Sequence, residues 1–233
     1  MERKLTAAHL KWLALVTMFI DHFAATVIEK YAYVNNIGLR YSIDVFSNST
    51  SNLELAYFIM RLIGRLAFPI YIFLLVEGFM HTRDIKKYIA RMAVFALISE
   101  IPFDLAFYGK FFETSHQNVF ITMTLGLCML YSLKFLGEKN TLNRKILALA
   151  SICLFYYFNE YLRGDYGGYG IAFIAIIYIF RDQRPLQAIM MAIMGVYQLT
   201  ALLAGPIVYF YNGDKGKQGN KYFFYGFYPA HLF

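Results

Sequence analysis

Residues 8–28 read AHLKWLALVTMFIDHFAATVI, and this stretch decides the class of the protein. Coiled as a helix it covers about 30 Å, the thickness of a bilayer's hydrocarbon core. Asp21 and His22 sit inside it. An ionisable side chain in hydrocarbon costs about 2.5–3.5 kcal/mol on insertion scales, so the pair points to a functional site facing a protein interior. The run opens on the polar residues Glu2, Arg3 and Lys4, carries His9 and Lys11, and has no small-residue cleavage site. It is therefore read as a retained helix and not as a removable signal peptide.

Outward from this run the pattern repeats. Further apolar runs are expected at 55–80, 88–108, 117–136, 144–161, 166–180 and 186–211, the last carrying Gly205 and Pro206 and so read either as one kinked helix or as two short segments joined near 200–206. The tail at 222–233 is aromatic but too short to span. Hydrophobic residues make up 59% of the chain and charged residues 16%, with mean hydropathy +0.46, which excludes a soluble domain. The expected fold class is all-α: a polytopic integral membrane helical bundle of about 7–9 transmembrane or half-membrane helices, forming one domain over 1–233. The polar stretch Asn48, Ser49, Thr50, Ser51, Asn52 has loop composition.

Basic residues set the expected direction. A cytoplasmic N-terminus puts Arg3, Lys4 and Lys11, then Arg83, Lys86, Lys87 and Arg91, then Lys134, Lys139, Arg144 and Lys145, then Arg181 and Arg184 inside. Lys30, Arg40, Lys110 and Arg163 then lie outside. The expected location is the cell (inner) membrane, multi-pass. The net charge of +7 is thus an insertion signal, and no nucleic-acid module is indicated. Cys128 and Cys153 have no partner at ligand or CxxC spacing and read as small buried side chains.

Arg61 and Arg65 lie in the second run and Glu100 and Asp104 in the third, each pair four residues apart and so on one helix face. At 1.5 Å of rise per residue, His22, Arg65 and Glu100 fall at one depth, roughly 3–5 Å outward of the midplane, with Arg61 and Asp104 roughly 9 Å out. Antiparallel packing would match Arg65 to Glu100 and Arg61 to Asp104. Such a ladder accounts for four charges by itself but leaves His22, the side chain best suited to general-base work near neutral pH, unexplained. Asp21 points about 100° from His22 and is cast as orienting a neighbour. Pro102 would free the Ile98 carbonyl between the two acids. Gln117 and Asn118 offer donors at the mouth of the fourth run. Glu77, with His81, belongs to the cytoplasmic edge as an access point or a solvated pair. His81 to Asp84 reads as a solvated loop, and the glycine-rich GDYGGYG at 164–170 as a tight helix entrance with no phosphate-loop spacing.

The stretches LKWLALVTMFIDHFAA, RLIGRLAFPIYIFLLVEGFMHT, SEIPFDLAFYG followed by QNVFITMTLGL, and YNGDKGKQGNKYFFYGFYPAHLF together resemble the TraX family, named for the conjugative-pilin N-acetylase, and suggest kinship with wider families of polytopic acyltransferases. The resemblance implies transfer of an acetyl group from acetyl-CoA to an amine, in pilin the N-terminal amine. On that reading His22 is the general base, Arg65 steadies the oxyanion, Asp21 orients a neighbour, Glu100 and Asp104 keep the arginines aligned or bind the incoming ammonium, and Arg61, Asp104, Gln117, Asn118 and Glu77 bind substrate. Lys86, Lys87 and Arg91 would attract the acyl-CoA phosphates. The expected partners are acyl-CoA, an acceptor peptide, pilin or envelope substrate, and the lipid bilayer. No metal is expected, since no His, Cys or carboxylate set has ligand spacing. Two other functions fit the residues: an O- or N-acyltransferase for an envelope glycan, lipid or secreted small molecule, and a transporter using the buried charges as a substrate or proton path.

Overall fold

A computed structural model describes residues 4–41, 51–137, 141–217 and 219–233. Arg3, Lys139 and the polar residues Asn48, Ser49 and Thr50 named above lie outside them. The fold is helical throughout, and among the described residues extended pairing is limited to two isolated bridges, Leu5 with Tyr211 and Gln117 with Gly164. Among the described residues three stretches are long and apolar enough to cross a membrane: Ala7–Val34, Asn52–His81 and Val119–Gly137. The chain packs as two compact units, Met1–Tyr71 with Met191–Asn220, and Ile72–Met190 with Lys221–Phe233.

The first unit is built on α1 (Ala7–Phe23), which continues through a π-helical turn (Ala24–Ile28) into α2 (Glu29–Val34). Thr6 caps α1 by accepting from His9 N, and His9 Nδ1 accepts from Thr6 N in return, so two orphan donors are satisfied locally. Two further first-turn donors go to the chain's later part: Ala7 N to Asp214 O at 2.8 Å and Ala8 N to Lys215 O at 3.0 Å. Gly216, at φ +66, lies so close to Thr6 that a Cβ there would come within 2.4 Å of the hydroxyl.

α3 (Asn52–Gly64) packs along α1, capped by Ser51. The second apolar run, expected as one helix over 55–80, is broken at Arg65 and Leu66, and α4 (Ala67–His81) begins beyond the break. Pro69 supplies the reason. It lacks the N–H that would reach the Arg65 carbonyl, and its ring disfavours a continuous helix there. The break leaves Leu66 N bonded to Ile63 O, so the Leu62 carbonyl is released; Thr200 Oγ1 takes it.

That threonine belongs to a segment that folds back on itself. α9 (Arg184–Gly195; α5–α8 and α11 lie in the second unit) leads into a tight 3₁₀ stretch, Val196–Leu203, and then α10 (Ala204–Tyr209). Gln198 and Leu199 leave helical geometry, Leu199 at φ +44. A Cβ on Gly195 would come within 2.5 Å of the Ala201 backbone, so the chain has reversed between them. Of the two readings of 186–211, the structure thus gives two short segments, with the joint at Gln198–Leu199 ahead of Gly205 and Pro206. From Thr200, beside α3, the chain runs to Phe210 and Asn212, which bond Leu5 at the start of α1. This short apolar stretch thus reaches from the middle of the second apolar run to the start of α1.

The second unit carries α5 (Ile85–Tyr108), α6 (Val119–Gly137), α7 (Leu142–Tyr161), α8 (Gly167–Ile179) and α11 (Lys221–Ala230). α5 runs on through Pro102 and ends at Gly109, left-handed at φ +67. At 13 residues, α8 covers about 20 Å and is shorter than the span expected at 166–180. The GDYGGYG segment is a tight helix entrance: Arg163, Tyr166 and Gly167 all take positive φ, and Gly168 N bonds Glu160 Oε1 at 2.7 Å. Asn159 and Thr122, both fully enclosed, hold this turn by donating to Gly167 O and Asp165 O. The aromatic tail folds as α11 against α5 and the start of α6, with Tyr225 stacked on Phe95 at 5.0 Å and Tyr228 edge-on to Phe120 at 5.0 Å.

Candidate functional site

Each unit holds a polar centre within apolar surroundings. In the first, Arg61 Nη1 donates to Asp21 Oδ2 at 2.9 Å, with both side chains about five-sixths buried (16% and 15% exposed). The carboxylate of Arg61 is thus Asp21 and not Asp104, as the antiparallel ladder required. The physical reason is contact between α1 and α3 at Gly64: a Cβ there would lie 2.2 Å from Asp21 Cβ. Without a side chain at 64 the helices close until the guanidinium one turn earlier meets the acid.

Around this pair the chain is irregular on both helices. His22 is half-buried in the last turn of α1, its carbonyl accepts Thr26 Oγ1 at 2.7 Å, and the π-helical turn begins two residues on. Such turns reset helix register and recur at functional sites. Arg65 caps the C-terminal end of α3, where a cation suits the helix dipole. Its guanidinium stands 5.5 Å from the centre of the Tyr41 ring. One and two turns towards the start of α3, Tyr57 donates to Glu29 Oε2 at 3.2 Å and the enclosed Glu54 accepts from Arg40 at 2.7 Å. Arg61, with its partner Asp21, and Arg65 therefore stand at the end of α3, where Thr200 also bonds the helix.

The centre of the second unit is built from α5, the loop after it and the start of α6. Asn118, fully buried, caps α6 by accepting from Phe120 N at 3.0 Å and donates through Nδ2 to Glu100 Oε2 and to Ala96 O. Asp104, 1% exposed, accepts from Glu113 N at 2.8 Å. Glu100 and Asp104 are thus held by neutral donors. Gln117 fixes the loop: its N–H bonds Arg163 O, its carbonyl takes Asp165 N, and its side chain donates to Glu113 O.

The same loop holds side chains that sequence reasoning passed over. His116 Nε2 stands 3.4 Å from Asp165 Oδ1, and this carboxylate raises the imidazole above the usual histidine range. Glu113 is held down at about 2 by the Lys110 ammonium and the Ser115 backbone. The Tyr228 hydroxyl takes a bond from Val119 N–H, within electrostatic reach of Glu100 and Asp165.

At the other end of this unit, Glu77 is not a solvated partner of His81, which lies 3.9 Å away and largely exposed. Arg184 bonds Glu77 at 3.1 Å with both side chains enclosed, and bonds Gln187 at 2.7 Å; Gln187 in turn donates to Ile177 O. The network ties α4, α8 and α9. Of the three residues assigned to acyl-CoA, Lys86 and Lys87 are exposed, Lys87 pairing with Asp84 at 3.2 Å. Asp84 caps α5, and the Lys87 N–H holds its carboxyl below the usual range. Arg91 is packed inward, against the Tyr88 ring and bonded to Tyr225.

Comparison with known proteins places this chain among relatives. The family model described as TraX protein matches residues 6–233. A probable fimbrial assembly protein FimC, serogroup H1, of Dichelobacter nodosus is 27% identical over 259 aligned residues, covering 97% of this chain and 93% of that protein. No solved structure matches.

Proposed function

Since this chain belongs to the TraX family, we propose that it is a membrane-embedded acetyltransferase that moves an acetyl group from acetyl-CoA to the amine of a fimbrial or pilin-type subunit. The observation that carries the reading is the buried Asp21–Arg61 pair with His22 beside it in a helix of bilayer length. The fimbrial-assembly relative supports the acceptor. The basic residues support a cytoplasmic N-terminus, which suits a donor made in the cytoplasm.

The acceptor ammonium first loses one proton to solvent; the neutral amine then attacks the thioester carbonyl and passes a second proton to His22. The tetrahedral oxyanion that forms is stabilised by Arg65, held at the helix break with its charge already in place. Collapse breaks the carbon–sulfur bond, and the proton on His22 passes to the departing thiolate. Asp21 binds substrate only indirectly: it fixes Arg61, which orients the donor or acceptor. Lys86 and Lys87 are exposed and suited to the phosphates of acyl-CoA, whereas Arg91 is engaged with Tyr225.

Transfer of labelled acetyl from acetyl-CoA to a peptide amine, catalysed by purified protein in nanodiscs, tests this. His22→Ala abolishes transfer while the protein stays folded, and Arg65→Ala lowers kcat about 100- to 1000-fold, as for loss of one oxyanion donor. Near-normal turnover by folded His22→Ala protein ends the general-base assignment.

A further inference from the structure

Four carboxylates gather where α5, the following loop and the α8 entrance meet: Glu100, Asp104, Glu113 and Asp165. Two have basic partners. Glu113 takes the Lys110 ammonium at 2.8 Å and Asp165 stands 3.4 Å from His116. Glu100 and Asp104 have only neutral hydrogen-bond donors, with His116 reaching Glu100 electrostatically and not by a bond, and the donors to each occupy one oxygen. The other oxygens, Glu100 Oε1 and Asp104 Oδ1, are enclosed and take no hydrogen bond among the described residues, although the Asp104 residue is 1% exposed. Buried carboxylates are ordinarily paired or fully hydrogen-bonded, because an uncompensated one is expensive to desolvate.

We infer that Glu100 and Asp104 form the binding site for a primary ammonium group, the protonated amine of the acceptor; this rests on the acyltransfer reading above for its role but not for its chemistry. The two acids are four residues apart on one helix face, with Cβ atoms about 5–6 Å apart. An ammonium bridges two such single oxygens because it is a compact charge with three donors. A guanidinium suits the site poorly, since its fork takes both oxygens of one carboxylate, and here each carboxylate has already given one oxygen away. A metal ion suits it poorly as well: among the described residues no group of three or more ligating side chains converges. Asn118 is a positioning residue, since it turns Oε2 of Glu100 aside and leaves Oε1 for the ligand.

The test is equilibrium binding without acetyl-CoA, so that it stands apart from catalysis. Full-length protein in nanodiscs is titrated against three neutral peptides labelled at the C-terminus and read by fluorescence anisotropy. One has a free N-terminus and no lysine, one is its N-acetylated twin, and one is N-acetylated with a single lysine. The free-amine peptide binds at least about tenfold more tightly than its acetylated twin, and Glu100→Gln or Asp104→Asn each weakens it about tenfold or more. The lysine peptide tells an N-terminal amine from a side-chain amine: tight binding of either supports the site and names the source. Equal binding of all three, or unchanged affinity in both folded variants, overturns it. So does calcium-45 binding that the variants abolish while peptide affinity stays constant. Should Asp104→Asn fail to fold, Glu100→Gln at its half-buried position decides alone. Amine binding without acetyl transfer would sink the enzyme and keep the site; acetyl transfer with unaltered KM for the amine in both variants would do the reverse.

Discussion

The two polar centres meet the same difficulty, charge held away from water, in opposite ways. In the first unit Asp21 and Arg61 neutralise each other at 2.9 Å. In the second, Glu100 and Asp104 accept from an amide and a backbone N–H, which leaves their charge standing. A pair whose charges cancel serves as a fixture between two helices. An uncompensated pair is completed by something that arrives, a proton or a cation. Depth and spacing alone made these residues look like two halves of one ladder, and the difference between them lies in which neighbour supplies the donor.

The sharpest way to break this contrast is to remove one partner at a time. Arg61→Leu strands Asp21 and costs about 3–5 kcal/mol in denaturant titration of the purified protein, while the double variant Asp21→Leu/Arg61→Leu recovers much of that loss because no charge is left unpaired. Asp104→Asn keeps an acceptor for Glu113 N and removes only the charge, so its cost stays below about 1 kcal/mol. A loss for Asp104→Asn as large as that for Arg61→Leu would mean that the carboxylates are as tightly compensated as the ion pair, and the contrast would vanish.

Much of this was legible in the sequence, and what was not has identifiable physical causes. Bilayer-length runs with charges inside them mark the helical membrane class and single out Asp21, Arg61, Glu100 and Asp104, because hydropathy and burial cost depend on residue type alone. Pairing does not: it depends on how closely helices approach, which Gly64 sets through a missing Cβ. Pro69 carried the signal for the break at Arg65, yet the long apolar run around it reads as continuous. Arg184 was assigned to the basic rim by the insertion rule, and its contact with Glu77, 107 positions away in the chain, has no local signature. His116 lies outside every apolar run, so a search for intramembrane charge passes over it.

A milder test compares two glycines, one in each unit. Gly64→Ala forces a methyl into the space of the Asp21 side chain and costs about 1–3 kcal/mol by overpacking, with the Asp21–Arg61 pair pushed apart. Gly226, within α11, has nothing within 4 Å of where a Cβ would stand. Gly226→Ala therefore gains up to about 1 kcal/mol from helix propensity. Thermal unfolding of the two variants in one detergent reads both signs. A neutral Gly64→Ala would show that α1 and α3 can part without loss, and the fixture in the first unit would not be rigid.

The smallest expected effect is a pH window confined to the loop of the second unit. His116 has its folded pKa raised by Asp165, so its contribution is complete below the unfolded value of about 6.5 and fades as pH rises through the higher folded value. Glu113 has its folded pKa lowered to about 2, so its contribution is complete above about 4.5 and fades as pH falls towards about 2. The loop at 109–117 is thus most ordered between about pH 4.5 and 6.5. Protection of the Glu113 and Ser115 amides, which donate to Asp104 and Glu113, measured as hydrogen exchange relative to the intrinsic rate at each pH, is greatest in that window and falls on both sides, and His116→Gln removes the upper limit alone. A protection factor at the Glu113 amide that stays flat from pH 5 to 8 would mean that His116 does not help to hold the loop over Asp104, and the second centre would then be organised by Asn118 and Gln117 without its histidine.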